Sequence, residues 1–313
     1  MNDSAMTLEN VTVVYGEGTP FRKVALDNIN FAFPKGKITG IIGHTGSGKS
    51  TLAQLLNGLL KPTSGVVKLG DDDINKDKEF TNGVRFRVGL VFQYPEYQLF
   101  EESVEKDIAF GPRNMGLDEE EIASRVKKAA FFCGIDGETL GMSPFEISGG
   151  QKRRAAIAGV VAMQPEFLVL DEPAAGLDPM GKEEIFDGLV KYKEETGATL
   201  ALISHSMEDI AKYSDNILVL KDGKVFMSGE VEEIFADAEK LFEASLDVPQ
   251  ITKLFIELKK RGVVDRSDIY TVGYAAKTIL HLRMNYTFLS FRVEIGAKAC
   301  YSYSINLEGE NIL

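Results

Sequence analysis

The octapeptide Gly43-His44-Thr45-Gly46-Ser47-Gly48-Lys49-Ser50 constrains this chain more than any other feature. It fits the pattern G-x-x-x-x-G-K-[ST], in the setting which that pattern needs. An apolar run at 38–42 reads as a short buried strand. A helical pattern then extends over 48–60, until Pro62 and Gly65 end it. Glycines let backbone N–H groups close around an anion, and the helix start adds positive potential. Lys49 supplies a mobile positive charge, Ser50 a hydroxyl for a magnesium ion, and Thr51 continues the same helix end. Strand, loop and helix together predict a cradle for the β- and γ-phosphates of a nucleotide, with ATP and Mg²⁺ as the implied ligands. Average residue frequencies give a chance match in about one per cent of chains this long, so the pattern carries weight by itself.

The rest of the chain supplies a fold for that loop. Residues 7–33 alternate apolar and polar side chains and read as strands around a loop at 16–20. Residues 88–92, 167–170 and 199–203 are short apolar runs, as expected of parallel strands covered on both faces. Residues 217–220 and 224–227 flank Asp222-Gly223, a strong hairpin turn. Residues 101–141 are helical in pattern. The expected fold class is α/β, with a phosphate-loop core, antiparallel edge strands, a helical insert over about 94–165 and a small helical carboxyl domain. The expected domains are 1–230, 231–280 and a tail at 281–313.

Composition narrows the partners. The chain has 313 residues and a net charge of −12, which disfavours nucleic acid because phosphate backbones are repelled. Cys133 and Cys300 match no metal spacing and read as reduced thiols. The first fifteen residues lack the blocks of a secretory leader. No apolar run approaches the roughly 20 residues that span a bilayer.

Two further segments carry chemistry. Residues 167–172 form an apolar strand ending in Asp171 and Glu172. Asp171 is placed to help hold Mg²⁺, directly or through water, and Glu172 to polarise an attacking water. Ile147-Ser148-Gly149-Gly150-Gln151 opens a helix running to about residue 162. Ser148 suits an N-cap, and the glycines allow close approach of a ligand. This is a second anion-binding helix start, and one nucleotide does not need two on one chain. The simplest account is that Ser148, Gly149, Gly150 and Gln151 cap the γ-phosphate held by another subunit.

In this order, the phosphate loop, the segment 147–151, the acidic strand end and His205 resemble the ABC ATPases over about residues 6–230. The resemblance implies that Gln93 is the Q-loop glutamine linking Mg²⁺ and water to a transmembrane partner. It implies that Asp178, in Ala175-Gly176-Leu177-Asp178, belongs to the D-loop at a dimer seam. It implies that His205 is the switch histidine at the γ-phosphate and that Tyr15 stacks on adenine. Ile147 stands where leucine is usual, a volume-conserving change.

A narrower resemblance is to the ATPase subunits of energy-coupling factor transporters, in particular the second of two. It rests on Val91-Phe92-Gln93-Tyr94-Pro95-Glu96, Gln98-Leu99-Phe100, Phe110-Gly111-Pro112-Arg113-Asn114 and the segment 171–181. It implies hydrolysis of ATP for uptake of vitamins or metal ions, at the cytoplasmic face of the cell membrane. It also implies three partners: a related ATPase chain forming a heterodimer, a transmembrane coupling subunit and a substrate-binding membrane subunit. The carboxyl region, about 231–276, is implied in contact between ATPases. The stretch 92–113 holds Glu96, Glu101, Glu102, Glu105 and Asp107 against Lys106 and Arg113, with Phe92, Tyr94, Tyr97, Phe100 and Phe110. It reads as an acidic, aromatic-lined groove for an arginine-bearing helix. The alternative is a soluble ATPase of the same type without a transport role. The short spacing from Lys49 to Ser148 leaves no room for the long coiled coil of repair ATPases, and one phosphate loop excludes a tandem enzyme. The tail, with Tyr286, Phe288, Phe291, Val293, Tyr301 and Tyr303, matches no family pattern.

Overall fold

The computed structural model describes residues 4–285. Residues 286–313, with Cys300 and the tail aromatics from Tyr286 to Tyr303, lie outside the described residues. The chain divides into two compact units, Met1–Val272 and Gly273–Leu313.

Ten strands lie in the first unit: β1 Ser4–Tyr15, β2 Lys23–Pro34, β3 Ile38–Ile42, β4 Ser64–Leu69, β5 Asp72–Asp73, β6 Val88–Val91, β7 Phe167–Asp171, β8 Thr199–Ile203, β9 Asn216–Lys221 and β10 Lys224–Glu230. Six of them form one sheet in the order β10-β9-β3-β8-β7-β6. It is parallel except for β10, which pairs antiparallel with β9 through the turn at Asp222 and Gly223. Both turn residues have positive φ, 51° and 75°, as a tight two-residue hairpin requires.

The central strands are buried on both faces, which explains their continuous apolar sequences. Side chains alternate between two cores because the strand period is two. Leu168, Leu170, Leu200, Leu202, Ile217 and Val219 enter one core, with the helices of the insert and the carboxyl region. Phe167, Val169, Ala201, Ile203, Leu218 and Leu220 enter the other. There they meet Leu52, Leu55 and Leu56 of the Lys49–Leu56 helix and the apolar side of a second sheet. Each such side chain contributes about 1.5–3 kcal/mol on burial, so the sheet is the stable platform on which the loops rest.

The second sheet is antiparallel, in the order β2-β1-β4-β5. Most of the antiparallel strands therefore make a layer of their own, and only β10 lies at the edge of the parallel sheet. The helix expected over 48–60 ends at Leu56, because Gly58 turns left-handed with φ 69° and the Leu59 and Leu60 amides fold back onto the Gln54 carbonyl. The strand expected at 88–92 closes at Val91. The insert resolves into a single turn at Pro95–Gln98 and helices Val104–Asn114, Glu119–Phe132, Gly137–Gly141 and Gly149–Val161. Helices Val231–Ala236, Ala238–Glu243 and Gln250–Lys260 follow β10. Val231, Ile234, Phe235 and Leu241 are part of the insert-side core. Helix Val272–Asn285 starts at the last residue of the first unit and continues in the second, where the Thr278 hydroxyl donates to the Tyr274 carbonyl at 3.0 Å.

Candidate active site

Four parallel strands, β3, β6, β7 and β8, end at the same edge of the sheet. In register, Val91 lies beside Leu170, and Asp171 beside Ile203. The residues that follow each strand therefore converge: the glycine loop after β3, Gln93 after β6, Glu172 after β7 and His205 after β8. In open parallel sheets ligands sit at this edge. A cleft of about 400 Å³ opens there, lined by Tyr15, Lys23, Ala25, Thr45, Gly46, Gly48, Lys49, Ser50, Thr51, Gln93, Asp171, Glu172 and His205.

The glycine loop is held by its own backbone. Gly46 and Gly48 have φ of 84° and 107°, a region that side chains disfavour. A Cβ at Gly43 would lie 2.4 Å from the Leu220 carbonyl oxygen, so β9 packs directly on the loop. Lys49 is buried, and Nζ donates to the Gly43 carbonyl at 2.5 Å and the His44 carbonyl at 3.2 Å. The ammonium thus bridges the loop that it would share with a phosphate. Burial lowers its pKa, while Glu172 and Asp171 oppose that shift. The His44 ring turns away: Nδ1 lies 2.9 Å from the Thr45 carbonyl and Nε2 3.4 Å from Asp222. Gly43, His44 and Ser47 shape the loop without lining the cleft. The Ser47 hydroxyl is buried without a hydrogen-bond partner.

The acidic side of the cleft is poised. The Asp171 carboxyl stands beside the Ser50 hydroxyl in the cleft. Burial raises its pKa, against Ser50, Lys49 and His205. Glu172 has a φ of 53°, and its amide donates to the Ile203 carbonyl at 3.0 Å. A side chain seldom adopts that conformation, which costs about 1–3 kcal/mol and here goes with a carboxylate that lines the cleft. Burial pushes Glu172 up to about 7. Its Oε1 is buried with no hydrogen-bond partner and lies 3.7 Å from His205 Nε2. Burial, and then Lys49, lower the His205 imidazole below its ordinary value.

These groups fit Mg²⁺. A serine hydroxyl and a carboxylate are the hard oxygen donors it takes, and it completes its shell with water and phosphate oxygens. Among the described residues no cluster of three or more histidine, cysteine or acidic side chains could hold a metal alone.

Opposite the loop, Tyr15 is partly exposed, and its hydroxyl lies 3.4 Å from the Thr51 hydroxyl. Lys23 and Ala25 escape sequence reasoning. They reach the cleft because β2 returns beside β1 with Lys23 paired to Tyr15, a register no local motif announces. Ser148, Gly149, Gly150, Gln151 and Asp178 do not line the cleft. Ser148 and Gln151 form a reciprocal capping box: the Gln151 amide donates to Ser148 Oγ at 3.3 Å, and the Ser148 amide to Gln151 Oε1 at 2.9 Å. Asp178 caps helix Pro179–Thr196, accepting from the Gly181 amide at 2.6 Å.

Comparison with known proteins bears on the family and the fold. The ABC transporter family model matches residues 26–175. A Clostridium acetobutylicum protein described as energy-coupling factor transporter ATP-binding protein EcfA2 is 52% identical over 276 residues, 88% of this chain and 96% of that protein. A protein of the same description from Caldanaerobacter subterraneus subsp. tengcongensis is 53% identical over 273 residues, 87% and 96% of the two chains. Among solved structures, CbiO1 from Clostridium perfringens, described as part of the ABC transporter complex CbiONQ, has a TM-score of 0.70 and 37% identity, covering 83% of this chain and 96% of that one. A dimeric ATP-binding cassette in a post-hydrolysis state with ADP and phosphate has a TM-score of 0.66 and 29% identity, covering 72% and 98%. The chain belongs to the ABC transporter ATPases, among the ATP-binding proteins of energy-coupling factor transporters, and ATP hydrolysis is its reaction.

Proposed function

We propose that this chain binds MgATP in the cleft at the sheet edge and hydrolyses it when a second ATPase chain closes the site. The observation that carries the reading is the division of the anion-binding groups. Lys49, Ser50 and the glycine loop line the cleft, while the Ser148 helix start is fully formed but does not. A second chain related to this one, presenting its own such helix start, would complete the site.

In this reading Lys49 and the loop amides hold the phosphates, and Tyr15 stacks on adenine. Ser50, Asp171 and Gln93 hold Mg²⁺ directly or through water. The ion neutralises phosphate charge when bound. Glu172 orients and polarises the attacking water. Its Oε1 is buried without a hydrogen-bond partner, which leaves that oxygen available to a water in the cleft. Neutral His205 reaches the γ-phosphate from the end of β8. Asp178 takes part through the loop whose helix it caps.

The same reading gives the regions their roles. Residues 1–230 are the nucleotide-binding domain, with the insert at 94–165. Residues 231–280 contribute to contact between ATPases, an assignment supported by exposed Phe242, Leu254 and Val263. No helix among the described residues is long and apolar enough to cross a membrane. We place the chain at the cytoplasmic face of the cell membrane, under a transmembrane coupling subunit and a substrate-binding subunit that take up a vitamin or metal ion. The coupling subunit docks on the insert near Tyr97 and Phe100, which are 85% and 59% exposed. Glu96 and Asp107 are withdrawn from that surface, so Glu101, Glu102 and Glu105 carry its negative charge.

Glu172→Gln tests the core of the reading. In the assembled complex the variant keeps ATP binding and loses turnover by about 10²–10⁴, the span of a general base. Turnover at the wild-type rate would remove Glu172 from the mechanism.

A further inference from the structure

Glu96 and Arg153 meet where the turn carrying Gln93 packs on the helix that begins at Ser148. Arg153 donates from Nε to Glu96 Oε2 at 3.0 Å and from Nη2 to Oε1 at 2.8 Å. The two side chains are 3% and 18% exposed, and no other ion pair among the described residues is so withdrawn. The guanidinium carbon lies 5.6 Å from the centre of the Tyr94 ring. Tyr94 holds a left-handed backbone, φ 58°, and leads into buried Pro95. Arg153 Nη1 is buried without a partner, so Glu96 is the carboxylate that neutralises this cation.

A pair of this kind is an inefficient source of stability, because both ions are desolvated to make it. Its value lies in geometry. Apolar side chains can slide past one another, whereas a planar fork on a carboxylate fixes distance and angle together. Glu96 is three residues from Gln93, and Arg153 lies on the helix that Ser148 caps. The fork therefore ties together two segments that serve different nucleotides.

We infer that Glu96 and Arg153 are a positioning pair that fixes the Ser148 helix start to the Gln93 turn, so that this chain's own ATP site sets the group offered to its partner's site. The inference rests on the split site proposed above. Neither residue lines the cleft, so neither is a catalytic residue. Loss of the fork leaves ATP binding by one chain intact and misplaces a group needed at the other site. A misplacement of about 1 Å can cost about 10²-fold in rate.

The test uses the full chain, alone and in its assembled transporter complex. Arg153→Gln, Glu96→Gln, the double variant and Arg153→Lys are compared for kcat, KM for ATP and the Hill coefficient. Binding of a fluorescent ATP analogue is measured on the chain alone. Each single glutamine variant is expected to lower kcat about tenfold or more, with KM and analogue binding changed less than about threefold and the Hill coefficient nearer one. The double variant falls no further than the worse single, because the two residues act as one unit. Arg153→Lys keeps the charge without the fork and lies between. Should Arg153→Gln fail to fold, Glu96→Gln carries the test, since its amide oxygen still accepts from the guanidinium. Unchanged kcat in the single variants, or losses that multiply in the double, would overturn the inference. Ser148→Arg is the control. If it stops turnover while the fork variants turn over normally, the coupling is wrong and the split site stands. If Ser148→Arg also turns over normally, the split site itself is wrong.

Discussion

Glu172 is the residue to which catalysis is assigned in the proposal above, and its acidity makes it measurable without nucleotide. Burial raises its pKa from an ordinary 4.5 to about 7. Between those values the unfolded chain has lost a proton that the folded chain still holds. Stability in the metal-free, nucleotide-free chain therefore declines as pH rises from about 4.5 to about 7, by up to about 3 kcal/mol from this group. Glu172→Gln removes the titration. Urea denaturation in EDTA is expected to show the variant gaining on the wild type as pH rises, with the gap greatest above pH 7 and vanishing near pH 4.5. A gap independent of pH would contradict the buried carboxyl. At this scale the sequence was most legible where a motif is contiguous. Lys49 and Ser50 come one short glycine loop after β3, and Asp171 and Glu172 sit at the end of β7, so contiguous sequence placed them at one edge. Lys23 was illegible because it enters the cleft through strand pairing. The pairing of Glu96 with Arg153 was hidden for a similar reason, as 57 positions separate them.

Among the elements, the insert shows how a charged stretch divides into structural and exposed parts. Asp107 is buried, and its carboxylate accepts from the Phe100 amide at 3.1 Å and the Glu101 amide at 3.3 Å. It shapes the loop instead of facing a partner. Glu96 serves Arg153, and Glu102 pairs with Lys106 on the surface. Phe100 and Phe110 meet edge to face at 5.0 Å, and both remain exposed. An arginine-bearing helix can lie on those rings with its guanidinium on a carboxylate. Reversing charge at Glu101 and Glu102 together to lysine is expected to weaken co-purification with the membrane subunits and to uncouple transport, with ATP binding unchanged. Normal assembly and transport would refute the docking surface and leave the ATPase assignment intact. Elements with strong periodicity or flanking turn residues were legible. The Lys78–Arg87 helix was not. Its interior holds Thr81, Asn82 and Gly83, poor helix formers, and it depends on an Asp77 cap to Phe80 and on burying Val84. Strand β4 was missed because Gly65 was read only as the end of a helix, whereas it also admits the chain beside Asn10, whose carbonyl oxygen a Cβ there would meet at 2.3 Å.

At the largest scale, the first unit is built on a parallel sheet buried on both faces, with the cleft at one edge. The parallel core was legible in its continuous apolar runs. The separate antiparallel sheet was not, because it joins β4 to β1 across the phosphate loop and its helix, a pairing no local pattern records. The proposal that the other half of the site comes from a second chain began in the sequence, as one anion-binding helix start too many. In the structure that start is capped and stands outside the cleft. ATP held between two such faces favours the closed pair, since it binds that state better than the open one. The direct measurement is ATP-dependent association of this chain with its partner ATPase, followed by light scattering and cross-linking in the Glu172→Gln background. Closure with ATP is expected, and its loss when Ser148→Arg is added to this chain while this chain's own ATP binding persists. Equal closure with and without Ser148→Arg would contradict the split site.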